Sequence, residues 1–340
     1  MMIILIKYSY LVLYLYLETF PIQRCRNFLK MNKGHSSKQV ENIVLVGRTG
    51  NGKSATGNSL IGKRVFVSKA HASGVTMKCQ AHGAVTKDGH TINVIDTPGL
   101  FDLSVSSEFI SKEIVRCLTL AEGGIHAAVL VLSARNQITQ EEENTLSTLQ
   151  ALFGSEILPY VIVVFTGGDV LEENNETLEE FLRRDCPPFI REVMKRSGNR
   201  MVLFDNKSHD DDKKAEQVHK LLSLVDKIRR TNHGQAYTDD AYHEIMAETE
   251  KLRKKHEELE SKNHSKDVES LMKDQLQALY QENLDRMSNA MNTKLKAALE
   301  QGNQNSSAIS ATVGLLPDGM PTISFSVPMK PLHGGRCSIL

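Results

Sequence analysis

The sequence predicts an α/β fold, in which a mostly parallel sheet is flanked by helices and is followed by a C-terminal helical extension. Three observations predict it. Short apolar runs with strand character alternate with helical patterns between Glu41 and Asn232. A glycine-rich loop separates the first apolar run from the first helical pattern. After the stretch GQAYTDD the alternation stops and the pattern becomes that of a charged helix.

The predicted strands and helices follow one another in order. The strands are Asn42–Val46, Thr91–Ile95, Ala127–Leu132, Tyr160–Thr166 and Met201–Phe204. The helices lie near Lys53–Ile61, Glu108–Leu120, Gln140–Phe153, Leu178–Ser197 and Ala215–Arg230. A hairpin partner near Gln80–Thr86 precedes the second strand. Continuous apolar strands separated by helices are typical of a parallel sheet covered on both faces.

The composition divides the chain into four segments. Residues 1–38 form an apolar leader and a polar lead-in, residues 39–232 the α/β domain, residues 238–300 a charged amphipathic helical extension, and residues 301–340 a flexible tail. In the extension, apolar residues between Tyr242 and Leu259 have coiled-coil spacing, but Thr249 and His256 are poor seam residues. A second stripe, Met272 to Ala298, has the spacing of a straight helix. Packing against the chain's own domain and oligomerisation both fit it.

The apolar stretch from Met1 to Phe20 has three interpretations. A cleaved secretory signal lacks its basic start and its small-residue cleavage site. A signal anchor would leave the rest of the chain in the cytosol, because basic residues between Arg24 and Lys33 follow it. Translation from Met31 would remove the stretch, and this interpretation is slightly preferred.

Charge and cysteine usage exclude several classes of protein. Lys plus Arg and Asp plus Glu number 41 each, so the formal net charge is zero and no basic footprint predicts nucleic-acid binding. Five cysteines without paired spacing favour a reducing intracellular compartment over a secreted disulfide framework. The 12 histidines show no metal-ligand spacing.

The glycine loop matches the pattern G-x-x-x-x-G-K-[ST] through Gly47, Gly52, Lys53 and Ser54. Main-chain N–H groups and the following helix N-terminus surround an anion in such a loop. We therefore predict that it holds a nucleotide's phosphates, with Lys53 on their oxygens and Ser54 on Mg²⁺. The predicted set is Gly47, Arg48, Thr49, Gly50, Asn51, Gly52, Lys53, Ser54 and Ala55. A glycine turn beside a surface lysine is the plainer alternative.

The stretch VIDTPGLFD predicts a second phosphate-sensing element. Asp96 ends an apolar strand, where its carboxylate would bind Mg²⁺ through a water, and the Gly99 N–H would sense a γ-phosphate. An ordinary Pro-Gly turn also fits these residues. Between the two motifs, Thr76 is the candidate switch threonine, whose hydroxyl would complete the Mg²⁺ coordination.

The nucleotide base would be recognised after later strands. In YVIVVFTGGD, the Asp169 carboxylate could accept from guanine N1–H and N2–H₂, a pair of donors that adenine lacks. Gly167 stands where an Asn/Thr-Lys-x-Asp motif has its lysine, and TGGD also fits a turn. Asn206 in LFDNK is a second candidate contact to the base.

Six motifs in order, GRTGNGKSATGNSLIG, GVTMKCQ, VIDTPGLFD, QITQEEENTLSTLQALFG, FTGGD and LFDNK, resemble the AIG-type GTPases. This is the immune-associated nucleotide-binding family, also called GIMAP, and TGGD with FDN is closer to its plant branch. The resemblance covers Val44 to Lys207. It implies a Ras-like P-loop GTPase domain that binds GDP, GTP and Mg²⁺ and hydrolyses GTP slowly, with the candidate residues above in the roles given.

The resemblance also bears on catalysis. Leu100 follows Gly99 where many small GTPases place a water-orienting glutamine, so hydrolysis should be slow without a partner. Such domains often pair across the nucleotide, and Arg135 or a nearby arginine could act in trans on the partner's phosphates. An exposed salt-bridging arginine is the more ordinary interpretation of Arg135. Helix capping by Thr139 is sufficient to explain the glutamates after it.

The chain ends in CSIL, which fits a prenylation box on Cys337 with a terminal leucine that usually selects geranylgeranyl. We thus predict a cytoplasmic, dimerising GTP switch, attached to the cytosolic face of a membrane by its C-terminus. A non-hydrolysing, septin-like GTP-held membrane scaffold is the alternative. An ATP-using P-loop protein is a third.

Overall fold

A computed structural model describes residues 40–68, 76, 78–86, 89, 91–99, 105–136, 138, 140–261, 266–306, 310–315 and 321–326. Its strands are β1 Glu41–Val46, β2 Gln80–Val85, β3 Thr91–Asp96, β4 Ala127–Ser133, β5 Val161–Thr166, β6 Met201–Phe204, β7 Ser310–Leu315 and β8 Pro321–Ser326. The helices are α1 Lys53–Ile61, α2 Ser107–Leu120, α3 Gln140–Phe153, α4 Gly168–Glu173, α5 Leu178–Asp185, α6 Pro188–Arg196, α7 Asp211–Thr231, α8 Asp240–Ser261 and α9 Lys266–Ser306.

Six strands form one sheet in the order β2-β3-β1-β4-β5-β6. Only β2 runs antiparallel in it, through its hairpin with β3, and the other neighbours are parallel. Alternate residues of β1 and β4 enter two separate cores. One core contains apolar residues of α1 and α7, and the other contains residues of α2, α3, α8 and α9. The structure therefore confirms the predicted Ras-like α/β fold with helices on both faces.

Two predicted helices differ from the observed ones. The predicted helix Leu178–Ser197 was wrong as a single element, because α5 ends at Asp185 and α6 begins at Pro188. Cys186 precedes Pro187, and a residue before proline is disfavoured in the helical conformation. The last domain helix begins before Ala215, because the Asp210 side chain caps α7 by accepting from the N–H groups of Asp212 and Lys213.

The helical extension folds back onto the domain. Its buried residues follow a straight-helix stripe on α9, namely Leu276, Tyr280, Met287, Met291 and Leu295. Lys296 Nζ lies 2.7 Å from Glu108 Oε1 on α2, and Lys294 Nζ donates to the Leu152 carbonyl of α3 at 3.1 Å. Of the two interpretations of the extension, packing against its own domain is the one that this structure describes.

The C-terminal tail also differs from its prediction. Within residues 301–340, α9 continues to Ser306, and β7 and β8 pair antiparallel. Cys337 and residues 1–38, the apolar leader and polar lead-in, lie outside the described residues. In the described part of the chain, no helix combines the length and the apolar character that crossing a membrane requires.

Candidate functional site

The predicted site residues come together where the parallel strands end. Gly47 directly follows β1, Asp96 is the last residue of β3, and Arg135 lies two residues beyond β4. Asp169 and Asn206 follow β5 and β6. Ligands of open α/β sheets bind outside the carboxyl ends of the strands, and the loops after all five strands of the parallel part lie there.

The glycine loop is held close to the sheet. Gly47 has φ +145°, and a Cβ atom at this position would lie 2.4 Å from the Val131 carbonyl oxygen of β4. A side chain cannot fit there, so the loop requires glycine. Asn51 fixes the other side, because its Nδ2 donates to the Val131 carbonyl at 3.1 Å and its own carbonyl accepts from Thr166 Oγ1 at 2.7 Å. The loop is thus preformed by contacts with β4 and β5.

Lys53 is a buried cation at the first position of α1. Its Nζ donates to the carbonyl oxygens of Gly47 at 2.8 Å and Arg48 at 3.0 Å. The side chain therefore curls back over the loop, with its charge held on loop carbonyls. Of the other predicted loop residues, Thr49 and Ala55 are half-buried, and Gly50 is exposed.

Three oxygen-bearing side chains meet beside the loop. Ser54 Oγ donates to Asp96 Oδ2 at 2.6 Å, Thr76 Oγ1 lies 3.2 Å from Ser54 Oγ, and Thr76 Oγ1 donates to Asp96 Oδ2 at 3.4 Å. The sequence placed these residues in separate motifs, and the structure brings them together. Burial raises the pKa of Asp96, although the hydrogen bond from Ser54 and the charge of Lys53 act in the opposite direction.

The Asp96 carboxylate also has an oxygen left over. Its Oδ1 is buried and has no hydrogen-bond partner among the described residues. A buried carboxylate oxygen without a donor is costly, and a bound cation or its water would satisfy it. Hydroxyl and carboxylate oxygens are the ligands that Mg²⁺ prefers. The trio of Ser54, Thr76 and Asp96 therefore fits a magnesium ion.

The Asp169 carboxylate is paired with two cations. Arg135 Nη2 donates to both of its oxygens, and Lys207 Nζ lies 3.5 Å from Oδ2. Partial burial raises the pKa of Asp169, but Arg135 and Lys207 outweigh it and hold that pKa below its usual range. Arg135 therefore lies at the predicted base carboxylate. This ion pair is the kind of contact that the more ordinary interpretation of Arg135, an exposed salt-bridging arginine, predicted.

Asn206 is bonded to α1. Its Nδ2 donates to Thr56 Oγ1 at 3.1 Å, and its Oδ1 accepts from Ser59 Oγ at 3.2 Å.

Asp205, next to Asn206, was missed in the sequence. Its Oδ1 accepts from the N–H groups of Lys207 and Ser208, and its Oδ2 accepts from Lys213 at 3.0 Å. An aspartate directly after a strand, two residues before the amide it accepts from, is the turn signal that could have found it.

Some predicted groups lie at or beyond the edge of the described residues. Gly99 is half-buried and ends a described stretch, and Leu100 and Thr139 lie outside the described residues. Within those residues, no cluster of three or more His, Cys, Asp or Glu side chains could hold a metal ion.

Comparisons with known proteins give one consistent family. The model described as AIG1 family matches residues 41–257. Immune-associated nucleotide-binding protein 7 of Arabidopsis thaliana is 76% identical over 268 residues, which cover 79% of this chain and 86% of that protein. Immune-associated nucleotide-binding protein 8 of the same plant is 59% identical over 248 residues, which cover 73% of this chain and 70% of that protein.

Solved structures include more distant similarities. The structure of Arabidopsis thaliana Toc33 in complex with GDP and Mg²⁺ has a TM-score of 0.41 and 18% identity, and covers 62% of this chain and 90% of that one. A dimerisation-deficient mutant of Toc33 has a TM-score of 0.43 and 19% identity, and covers 61% of this chain and 91% of that one.

Proposed function

Since this chain belongs to the AIG1 family, we propose that it is a guanine-nucleotide-binding protein that binds GDP and GTP with Mg²⁺ and hydrolyses GTP slowly. One observation carries the proposal: Ser54, Thr76 and Asp96 converge beside a preformed glycine loop, and a buried Asp96 oxygen has no hydrogen-bond partner in the described part of the chain. We call the glycine loop with these three residues the phosphate end. We call Arg135, Asp169 and Asn206, with the loops that carry them, the base end.

At the phosphate end, the loop binds the phosphates through its main chain. Lys53 exchanges the carbonyl oxygens of Gly47 and Arg48 for phosphate oxygens, which are stronger acceptors because they are charged. The helix N-terminus that follows Gly52 adds a favourable partial positive charge. The Gly99 N–H is the candidate group that distinguishes GTP from GDP.

Ser54 and Thr76 would ligate a magnesium ion through their hydroxyls, and Asp96 would hold it through its carboxylate. Magnesium supplies positive charge to the phosphate oxygens where negative charge develops during transfer. The negative charge of Asp96 is then balanced by a cation, which relieves the cost of its burial. Thr76 is the ligand that depends on the γ-phosphate, so its segment is the one that would respond to hydrolysis.

At the base end, Asp169 accepts from the two neighbouring donors of guanine. This pairing favours GTP over ATP, because adenine lacks those donors. Asn206 is the second candidate contact to the base. Its bonds to Thr56 and Ser59 use one donor and one acceptor position of the amide, and the other donor and acceptor positions could serve the base. Excess ATP should therefore fail to displace labelled GDP.

Hydrolysis by one molecule alone should be slow, because the leucine at position 100 cannot orient water. We propose that two copies pair through their domains in the GTP state and complete the site. Arg135 is one candidate for a trans-acting arginine, but it would first have to leave Asp169. A residue in that role can accelerate hydrolysis by about 10³–10⁵.

Turnover as a function of protein concentration tests this proposal. The GTPase rate per molecule should rise with concentration if pairing activates hydrolysis. A flat, near-zero rate with normal GTP binding would instead support the septin-like scaffold. Failure to bind either GDP or GTP in the presence of Mg²⁺ would contradict both.

Membrane attachment is the remaining part of the proposal. The C-x-x-L ending makes Cys337 the candidate acceptor for a geranylgeranyl group, which would place the protein on the cytosolic face of a membrane. A single lipid chain gives only marginal attachment, and the polybasic signal near Cys337 is weak, so a second contact is needed. Cys337→Ser should move the protein from the membrane fraction to the cytosol, and an unchanged distribution would contradict the lipid.

A further inference from the structure

The position that lacks the usual lysine is covered by another cation. Gly167 has φ +88°, and a Cβ atom built on it would lie 2.9 Å from Arg135 Cγ and 3.5 Å from Arg135 Nε. The stem of Arg135 therefore passes over Gly167, in the space that a side chain at position 167 would enter. Glycine at 167 and arginine at 135 are a matched pair, because a lysine at 167 would collide with Arg135.

The strand pairing fixes Arg135 in this position. Ser133 of β4 pairs with Thr166 of β5, and the Ala134 N–H donates to the Thr166 carbonyl at 2.8 Å. Arg135 is the next residue, so its main chain is anchored to the end of β5. Its guanidinium then reaches Asp169, whose side chain is 20% exposed, while that of Arg135 is 34% exposed. Both side chains are therefore partly exposed.

We propose that Arg135 is a base-binding residue of this same molecule, which packs against the guanine and holds Asp169 in place, and so replaces the lysine that position 167 lacks. The inference rests on the proposed guanine-nucleotide function. A guanidinium is planar, keeps its charge and stacks on aromatic faces, so it can supply the contact that a lysine stem supplies elsewhere.

Arg135 and guanine can use Asp169 together. An ionised carboxylate has about four acceptor positions on its two oxygens, and Arg135 Nη2 occupies one on each. The remaining positions can accept from the two donors of guanine. Arg135 therefore does not have to leave Asp169 when the base binds. This distinguishes the proposed role from two others: a plug, meaning a side chain that occupies the base site and is expelled by the nucleotide, and a trans finger, meaning an arginine that acts on the nucleotide of a partner molecule.

The test measures GDP affinity of the full chain with Mg²⁺, by titration with a ribose-labelled fluorescent GDP. Arg135→Ala should weaken GDP binding by about tenfold, because both the contact with the guanine ring and the hold on Asp169 are lost. The GDP affinity of Arg135→Lys should lie between those of Arg135→Ala and the wild type, because lysine keeps the positive charge but lacks the planar guanidinium. The inhibition constant of pyrophosphate should be the same in Arg135→Ala and the wild type, because the phosphate end is intact.

Arg184→Ala is the matched control, because it removes an arginine from an ion pair with Glu176 that involves neither Gly167 nor Asp169, and GDP affinity should be unchanged. Equal GDP affinities of Arg135→Ala and the wild type would overturn the inference and leave the proposed function standing. Tighter binding by Arg135→Ala would overturn it in favour of a plug. Unchanged affinity together with a GTPase rate that no longer rises with concentration would overturn it in favour of a trans finger. No GDP binding by the wild type would remove the proposed function, and the inference with it.

Discussion

The glycine loop of the phosphate end is one continuous segment shaped by its main chain, whereas the base end is shaped by side chains from three separate loops. At the phosphate end, Gly47 approaches Val131 so closely that only the backbone fits, and Lys53 bonds to carbonyls five and six residues before it. At the base end, Arg135 and Asp169 are 34 residues apart, and Asn206 and Thr56 are 150 apart.

The two ends also differ in whether their side-chain oxygens already have hydrogen-bond partners. The phosphate end contains a buried Asp96 oxygen that lacks a partner among the described residues. At the base end, Asp169 and Asn206 both already have partners. A ligand therefore supplies a missing contact to Asp96 at the phosphate end, whereas at the base end it shares existing contacts. We expect substitutions at the phosphate end to have larger effects on nucleotide affinity.

Lys53→Ala should have the largest effect. We propose that Lys53 binds phosphate oxygens in place of the two carbonyls that it contacts now, and each hydrogen bond to a charged group contributes about 1.5–3 kcal/mol, so affinity for GDP should fall by about 100-fold or more. The melting shift that GDP and Mg²⁺ produce should disappear in a thermal-denaturation assay. Lys63→Ala, at an exposed lysine just after the same helix, should keep the full shift. An undiminished shift in Lys53→Ala would contradict the phosphate role of the loop.

The ease of prediction follows the same division. The glycine pattern requires neighbours in sequence only, so Gly47, Lys53 and Ser54 could be assigned from the spacing of residue types along the chain. The five parallel strands of the main sheet could be assigned too, because buried parallel strands are continuous apolar runs. The sixth strand, β2, was assigned as the hairpin partner of β3. The break between α5 and α6 was missed, although Pro187 and Pro188 mark it in the sequence.

The partners of side chains at the base end could not be predicted from a local pattern. The sequence identified Asp169 by its place after a strand, but its pairing with Arg135 depends on the register of β4 against β5. Likewise, the bonds of Asn206 to α1 depend on how the end of β6 lies against that helix. Such contacts are set by tertiary packing, which spacing along the chain does not encode.

Asp169→Asn should have the second-largest effect and tests the base end directly. An amide can donate to the 2-carbonyl of xanthine but cannot accept from both donors of guanine, so preference should move from GDP to xanthosine diphosphate. A bidentate base contact is worth about 1–3 kcal/mol, which predicts roughly a 10- to 100-fold loss of GDP affinity. Glu173→Gln, at an exposed acid four residues further along, is the charge-matched control.

Competition binding with GDP, xanthosine diphosphate and ADP measures this preference. An unchanged ranking of the three in Asp169→Asn would mean that the carboxylate pairs only with Arg135 and Lys207. The base end would then be a structural ion network that does not bind the base, and only the phosphate end would bind nucleotide.

Asn206→Ala should have the smallest effect on nucleotide affinity and a measurable one on the fold. The side chain makes two hydrogen bonds to α1, each worth about 0.5–1.5 kcal/mol, so the free energy of unfolding without nucleotide should fall by about 1–2 kcal/mol. Denaturant unfolding of the nucleotide-free protein measures this change.

A double-mutant cycle with Thr56→Val makes the assignment of Asn206 specific. Thr56 is fully buried and accepts from Asn206 Nδ2, so the two substitutions should be non-additive by about 0.5 kcal/mol or more. If Asn206 serves mainly the base, Asn206→Ala would leave the nucleotide-free stability unchanged and weaken GDP binding instead. That result would make the base end a second ligand-ready surface, because the bonds of the Asn206 amide to α1 would then contribute nothing in the absence of nucleotide.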